Sequence, residues 1–387
     1  MRYILLGNAK ISTWQECRGT SAPTRDSCHG CTNILDTVTR RRRLVLVGLV
    51  LVGLGLPFLA RNRISAALTL IEAVKGPVPR PFAPQVAPQT AEVGGVAGRI
   101  YDGGGPPILI VPGATPAGLE DMRVNVVARS LARAGRTVFI PDLDLYREQL
   151  TMADQKRIVD SVEGLAALTG GRVTIAGFSY GGSLALVAAA HPGMEGHLSR
   201  VATLGAYYDL EGVIQAITTG GSLVDGEFIR WESHPLAEAL LAARTIELLP
   251  GQAQDPLLDA LDGRGDPDDL SADGRALYDL LVNEDPARTG ELARRLSPPL
   301  RSLIEDFSPS RVADGIDVPV LAMHSTDDPA VPYGELLRLE KEMPEAETLT
   351  VEAFQHVDFD PSSLRGWWDL VPDLWRIWRF TTWILNG

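Results

Sequence analysis

Arg172-Val-Thr-Ile-Ala-Gly-Phe-Ser-Tyr-Gly-Gly-Ser183 decides how this chain folds, because it sets a serine between two glycines directly after a β-branched run. Val173 to Ala176 reads as a short buried strand, and the Ala- and Leu-rich stretch Leu184 to Ala190 as the helix after it. Ser179 then occupies the turn between them. A turn of this kind lifts the hydroxyl out of the sheet toward a base, and the helix N-terminus offers backbone N–H groups to a developing oxyanion. A Cβ at Gly177 or Gly181 would crowd the neighbouring strand or helix. By itself the Gly-x-Ser-x-Gly pattern is equally a glycine-rich turn with a structural serine, so the rest of the chain has to separate the two readings.

Two later signals do so. Val318-Pro-Val-Leu-Ala-Met-His324 reads as an apolar strand running into Ser325-Thr-Asp-Asp-Pro-Ala-Val-Pro332, a loop that supplies Asp327 and Asp328. Thr348 to Phe354 reads as another strand, followed at once by Gln355 and His356. Serine, acid and histidine thus fall in that chain order, each just past a strand, which is an order that nucleophilic catalysis by serine uses. Asp209 also comes after a strand and is the reserve candidate for the acid; Asp142, after Val138 to Pro141, is read as a turn cap.

On these residues the chain resembles the α/β-hydrolase fold family from about Ile108 to about Phe380. The resemblance places the acid in an Asp-x-x-Val-Pro loop, matched by Asp328-Pro-Ala-Val-Pro332, and so favours Asp328 over Asp327. It makes His356 the base, with Gln355 standing where the family usually has Gly. It also implies an oxyanion loop after an early strand, matched by Pro107-Ile-Leu-Ile-Val-Pro-Gly-Ala-Thr-Pro-Ala-Gly118, with Pro112 where a His is frequent. The oxyanion donors implied are the backbone N–H groups of Ala114 and Tyr180.

The wider pattern agrees with an α/β class. Strands at Ala91 to Tyr101, Ile108 to Val111, Arg136 to Pro141, Val173 to Ala176 and Val201 to Gly205 alternate with helical stretches at Val124 to Ala134 and Ala153 to Leu168. That alternation predicts a mostly parallel sheet flanked by helices, with functional residues on the loops after strand ends. Asp209 to Asp317 is too long for one loop, and its pieces carry helical spacing broken by Gly and Pro. Residues 211–317 are therefore expected to form an inserted helical cap, which by the resemblance roofs the site and selects substrate. The Asp-rich Asp262-Gly-Arg-Gly-Asp-Pro-Asp-Asp269 lacks the alternating ligands and closing Glu of a calcium loop and reads as a solvated acidic surface.

At 387 residues and 45% hydrophobic content the chain holds enough apolar side chains for a large core, and its net charge of −13 argues against a nucleic-acid partner. With neither a phosphate-binding loop nor a dinucleotide fingerprint, no cofactor is expected. All three cysteines, Cys17, Cys28 and Cys31, precede the catalytic region; adjacent Cys28 and His29 seldom converge on one ion, so no metal site is expected.

The N-terminal part is different in kind. Arg40 to Arg43 precede the uncharged, Leu- and Val-rich run Leu44 to Ala60, and Arg61 and Arg63 lie just beyond it. Phe58 stands where signal cleavage after Ala60 wants a small residue, so the run reads as an uncleaved transmembrane helix at residues 44–60. The arginine block favours a cytoplasmic segment at 1–43, of which about 1–38 reads as an upstream extension, and an extracytoplasmic hydrolase domain. Pro-rich Gly76 to Pro88 suggests an extended tether over 61–90, leaving 91–387 as the hydrolase domain. Five of the seven tryptophans fall between Trp367 and Trp383 at helical spacing with Arg376 and Arg379, suiting a last helix packed on the sheet or one lying at a membrane surface.

The expected function is a membrane-anchored serine hydrolase acting on a small-molecule or lipid-like ester through an acyl-Ser179 intermediate, with Asp328 and His356 completing the triad. An acyltransferase with the same triad is one alternative. A catalytically silent hydrolase-fold binding protein is another, and the complete Ser/Asp/His order counts against it.

Overall fold

Eight strands form one sheet: β1 (Gln89–Val93), β2 (Val96–Tyr101), β3 (Pro107–Val111), β4 (Thr137–Pro141), β5 (Val173–Phe178), β6 (Leu198–Leu204), β9 (Val320–Ser325) and β10 (Glu347–Val351). Their spatial order is β1-β2-β4-β3-β5-β6-β9-β10. Only the pairs β1–β2 and β2–β4 are antiparallel; every other pair is parallel. This is a computed structural model, and it describes residues 59–76, 78–80, 83–147, 151–233, 249–359, 368 and 370–387. The sheet belongs to the unit Arg61–Gly387.

β3 and β4 are buried along their whole length, as strands covered on both faces are. Alternate side chains go to opposite layers. Leu109 and Val111 join Phe139, Ile175 and Val201 on one face, while Ile108 and Ile110 join Val138, Ile140 and Ala176 on the other. The first face is covered by α3 (Met152–Thr169) and α4 (Tyr180–Ala189), through side chains such as Ile158, Val162 and Leu184. The second is covered by α1 (Leu59–Lys75), α2 (Met122–Arg133) and α11 (Leu370–Leu385), through Ala66, Leu131, Ile377 and Phe380.

Between β6 and β9 lie α5 (Leu210–Thr219), a small hairpin of β7 (Gly221–Val224) and β8 (Glu227–Arg230), and helices α6 (Gly251–Leu261), α7 (Ala272–Leu281), α8 (Thr289–Arg295) and α9 (Pro298–Asp306). Their apolar faces, Leu257, Leu277, Leu292 and Ile304 among them, are continuous with the core on the α3 and α4 side of the sheet. After β9 come α10 (Gly334–Glu342), β10 and a second hairpin of β11 (Phe354–Gln355) and β12 (Asp358–Phe359).

Of the predicted membrane helix at 44–60, only Leu59 and Ala60 are described, as the first residues of α1; the remainder and residues 1–43 lie outside the described residues. Among the described residues no helix is long and apolar enough to cross a membrane. The stretch expected to be a tether differs from that expectation over its first half. Residues through Lys75 are helical, and α1 packs on the sheet with Ala66 fully buried. Its one acidic side chain, Glu72, is buried between Arg80 at 2.7 Å and Arg133 at 3.3 Å. Asn62 Nδ2 donates to Leu385 O at 2.9 Å, tying α1 to the end of α11. The proline pattern marks only the residues beyond Gly76; the good helix formers before it find an apolar surface.

Glu72→Ala should therefore destabilise the fold by about 3 kcal/mol, because it strands two arginines in the α1–α2 contact. A thermal melt measures it, and a loss near zero would mean that α1 contributes nothing to the domain. By the same argument a chain beginning at Ala91 should melt below one beginning at Arg61.

On α11, Ile377, Phe380 and Ile384 are buried against the sheet, and Arg200 lies over the Trp383 ring at 4.7 Å. Trp375 remains exposed on the opposite side.

Candidate active site

Ser179 sits between β5 and α4 at φ 54°, in the left-handed region that side chains seldom occupy. Its N–H donates to Leu204 O at 2.8 Å and its carbonyl accepts from Gly182 N at 2.8 Å, so both arms of the turn are pinned. A Cβ on Gly177 would lie 2.5 Å from the Gly182 Cα, and one on Gly181 would run into the carbonyls of Pro112 and Val111. Each glycine is thus required by close approach, one to the helix after the turn and one to the end of β3. Helix α4 begins at Tyr180, four residues before the sequence pattern suggests, because Gly181 and Gly182 are held helical by that packing.

The strand order reverses at β3, which has β4 on one side and β5 on the other. Chains leaving β3 and β5 therefore depart to opposite faces and open a crevice at the C-terminal ends of those strands. Ala114 lies on the loop after β3 and Tyr180 opens α4. Among the described residues neither backbone N–H has a hydrogen-bond acceptor.

A buried latch holds the β3 loop. Thr115 Oγ1 donates to Asp121 Oδ2 at 2.7 Å, and Asp121 caps α2 by accepting from Arg123 N at 2.9 Å. The Arg123 guanidinium reaches the same carboxylate at 2.8 Å. That contact, with help from Thr115, holds the Asp121 carboxyl down at about 2. Because this lies below the ordinary 3.8, the latch's contribution is present above about pH 4 and lost as pH falls through about 2. Thr115→Val should lower turnover by about tenfold with KM little changed, and Thr115→Ser should restore it; a change in KM alone would show that the latch shapes binding instead.

Asp328 lies just past β9 and is 1% exposed. Its Oδ1 accepts from Ala330 N at 2.8 Å and Val331 N at 2.9 Å, and its Oδ2 lies 2.8 Å from His356 Nδ1. Burial pushes this carboxyl up, but the facing His356, aided by His324 and the Val331 N–H, holds it below the usual carboxylate range. Asp327 is exposed, and Asp209 caps α5, accepting from Glu211 N at 3.0 Å. Asp142 pairs with Arg147 at 3.7 Å. Of the four carboxylates considered, only Asp328 reaches the histidine.

His356 stands at φ 60° immediately after β11. The strand expected to run from Thr348 to Phe354 ends at Val351; the N–H groups of Glu352 and Ala353 then turn to Asp373 Oδ2 on α11, each at 2.7 Å. This bend and the short hairpin bring His356 back over the sheet. Ser179, His356 and Ala114 line one cavity of about 180 Å³, with Asp328 behind the imidazole. Among its described lining residues none comes from 211–317. Part of the cap that the resemblance implied as a roof, residues 234–248, lies outside the described residues. The described cap helices pack with the α3 and α4 face of the sheet, whereas the cavity opens toward α2 on the other.

Four site residues escaped the sequence reading. Thr115 and Asp121 form the latch, and an Asp just before an amphipathic helix is a capping signal that could have found the second. His324, 1% exposed, places Nε2 at 3.0 Å from Val331 O and 3.5 Å from Asp328 Oδ2, bracing the acid loop from within the strand. Trp231, just past β8, donates from Nε1 to the Asp328 carbonyl at 2.6 Å. No local pattern marks the last two. Cys17, Cys28 and Cys31 lie outside the described residues.

Many solved structures are similar to the chain. A hormone-sensitive lipase from a metagenome library is similar at 17% identity with a TM-score of 0.45, over 89% of this chain and 98% of that one. A Pyrobaculum calidifontis esterase is similar at 16% identity and a TM-score of 0.44, over 84% and 91%. An acylaminoacyl peptidase of Pyrococcus horikoshii is similar at 14% identity and a TM-score of 0.43, but the 74% of this chain that aligns spans only 39% of the peptidase. No curated protein sequence matches the chain. The alpha/beta hydrolase family model matches residues 108–363, from β3 through the elbow, the acid loop and His356. By that match, over the same strands and loops that build the cavity, the chain belongs to the alpha/beta hydrolase family.

Proposed function

We propose that the protein is a serine hydrolase that cleaves carboxylic esters through an acyl-Ser179 intermediate. The observation that carries this reading is the 2.8 Å contact of Asp328 with His356 Nδ1, made at a cavity that His356 shares with a serine held at positive φ. His356 takes the Ser179 proton on Nε2 as Oγ bonds to the ester carbonyl carbon. The N–H groups of Ala114 and Tyr180 receive the oxyanion. Collapse breaks the bond to the alcohol, which leaves with the proton from His356. Water then adds by the same route, its proton passing to His356, and the acid departs as Ser179 regains its proton. Asp328 keeps Nδ1–H facing itself, so that Nε2 is the basic nitrogen. No step calls for a metal or a cofactor.

Labelling by a fluorophosphonate, together with turnover of a p-nitrophenyl ester, tests the chemistry; an unlabelled serine would overturn it. Running the same ester with alcohol acceptors present distinguishes water from an alcohol as acyl acceptor, and a transesterified product in place of free acid would make the protein an acyltransferase.

The proposal includes a membrane anchor at Leu44–Ala60 with the hydrolase domain outside the cytoplasm. It is supported by the uncharged run and by the arginines on both sides of it. Full-length protein should remain in membranes through alkaline carbonate washing. Recovery in the soluble fraction with a new N-terminus beyond Ala60 would show a cleaved signal instead.

A further inference from the structure

We infer that the cavity beside Ser179 is a subsite for one uncharged, apolar limb of the ester, no larger than a benzene ring or a chain of about six carbons, and that Val124 and Val127 on α2 set that limit. The inference rests on the serine hydrolase reading and narrows it to a substrate class. The cavity measures about 180 Å³. An apolar cavity of about 150 Å³ accommodates one benzene. Ile110, Val124, Val127, Phe178 and Val357 supply its apolar walls, and Ser179 and His356 stand at the reacting edge.

The charged groups of the cavity are already matched to each other. Asp121 is occupied by Thr115 Oγ1, by Arg123 N and by the Arg123 guanidinium, at 2.7, 2.9 and 2.8 Å. An ammonium on the substrate limb would have to displace a donor from Asp121, and a carboxylate would compete with Asp121 for an Arg123 guanidinium that is 60% exposed to solvent. An apolar limb loses nothing there and leaves water. Val124 and Val127 are one turn apart on α2, so they face the cavity together, and both β-branched side chains are stiff. Among the described lining residues Val124 and Val127 are the pair presented side by side by one helix, so selection by limb length is assigned to α2.

Burial of each further methylene is worth about a fourfold gain until the cavity is full. In a p-nitrophenyl series from acetate to dodecanoate, kcat/KM of the full-length protein should rise at least tenfold from acetate to about hexanoate and then cease to rise. If the limb is the alcohol instead, the same profile should appear in a series of alkyl acetates, and the two series tell the limbs apart. Val127→Phe should cut the hexanoate-over-acetate preference at least tenfold, and Val127→Ala should move the plateau to longer chains. Melting curves show whether each variant is folded, and the smaller substitution keeps the test open if the larger one is not.

A rise that continues to dodecanoate in either series, best turnover on acetate, or profiles unmoved by both Val127 variants would overturn the subsite. If Ser179 is labelled by a fluorophosphonate and acetate is hydrolysed while both series are flat, the subsite fails and the hydrolase reading stands. If there is neither label nor turnover, both fail.

Discussion

Ser179→Ala should abolish fluorophosphonate labelling and lower ester turnover by about 10⁶-fold, the scale of losing the nucleophile from a serine triad. The thermal melt should hardly move. Ser179 is 7% exposed, its hydroxyl faces the cavity, and its structural bonds to Leu204 and Gly182 are made by the backbone, which alanine keeps. The φ of 54° is no worse for alanine than for serine. Hydrolysis persisting at more than a small fraction of the wild-type rate would remove Ser179 from the chemistry. A large fall in melting temperature would instead make the elbow serine structural.

Asp328→Asn comes next in size, with turnover falling by up to about 10⁴-fold. The exchange leaves volume almost unchanged but turns an acceptor-only group into one that also donates. Ala330 N and Val331 N already donate to Oδ1, so the new NH₂ points toward His356 and favours the tautomer that buries the base. Asp327→Asn should stay within about threefold of wild type, because that side chain lies in solvent. Equal losses at the two positions would show that the loop, rather than one carboxylate, is what matters. A loss at Asp327 alone would transfer the role to it.

The elbow could be read from the chain because its causes are local. A β-branched run, two glycines and an alanine-rich segment specify strand, tight turn and helix within about a dozen residues, and Gly177 and Gly181 are where close approach requires them. The strand before Asp328 was legible for the same reason. The segment before His356 was only partly so, since its bend depends on Asp373 of α11, twenty residues away. The helix α1 was hidden by the prolines beyond it, and its place in the domain depends on Arg80, Arg133 and the end of α11.

By itself the sequence determined the α/β class, the serine on its turn and the order of serine, acid and histidine along the chain, because periodicity, glycine and turn chemistry act over a few residues. Tertiary structure decided which carboxylate faces His356, since Asp327, Asp328 and Asp209 all come after strands and only the sheet order and the turn after β9 distinguish them. It also decided that Thr115 and Asp121 pin the loop beside Ser179, and that Val124 and Val127 of α2 line the cavity. Those relations join segments brought together by the reversal of strand order at β3, and a spatial order of strands leaves no mark in local sequence.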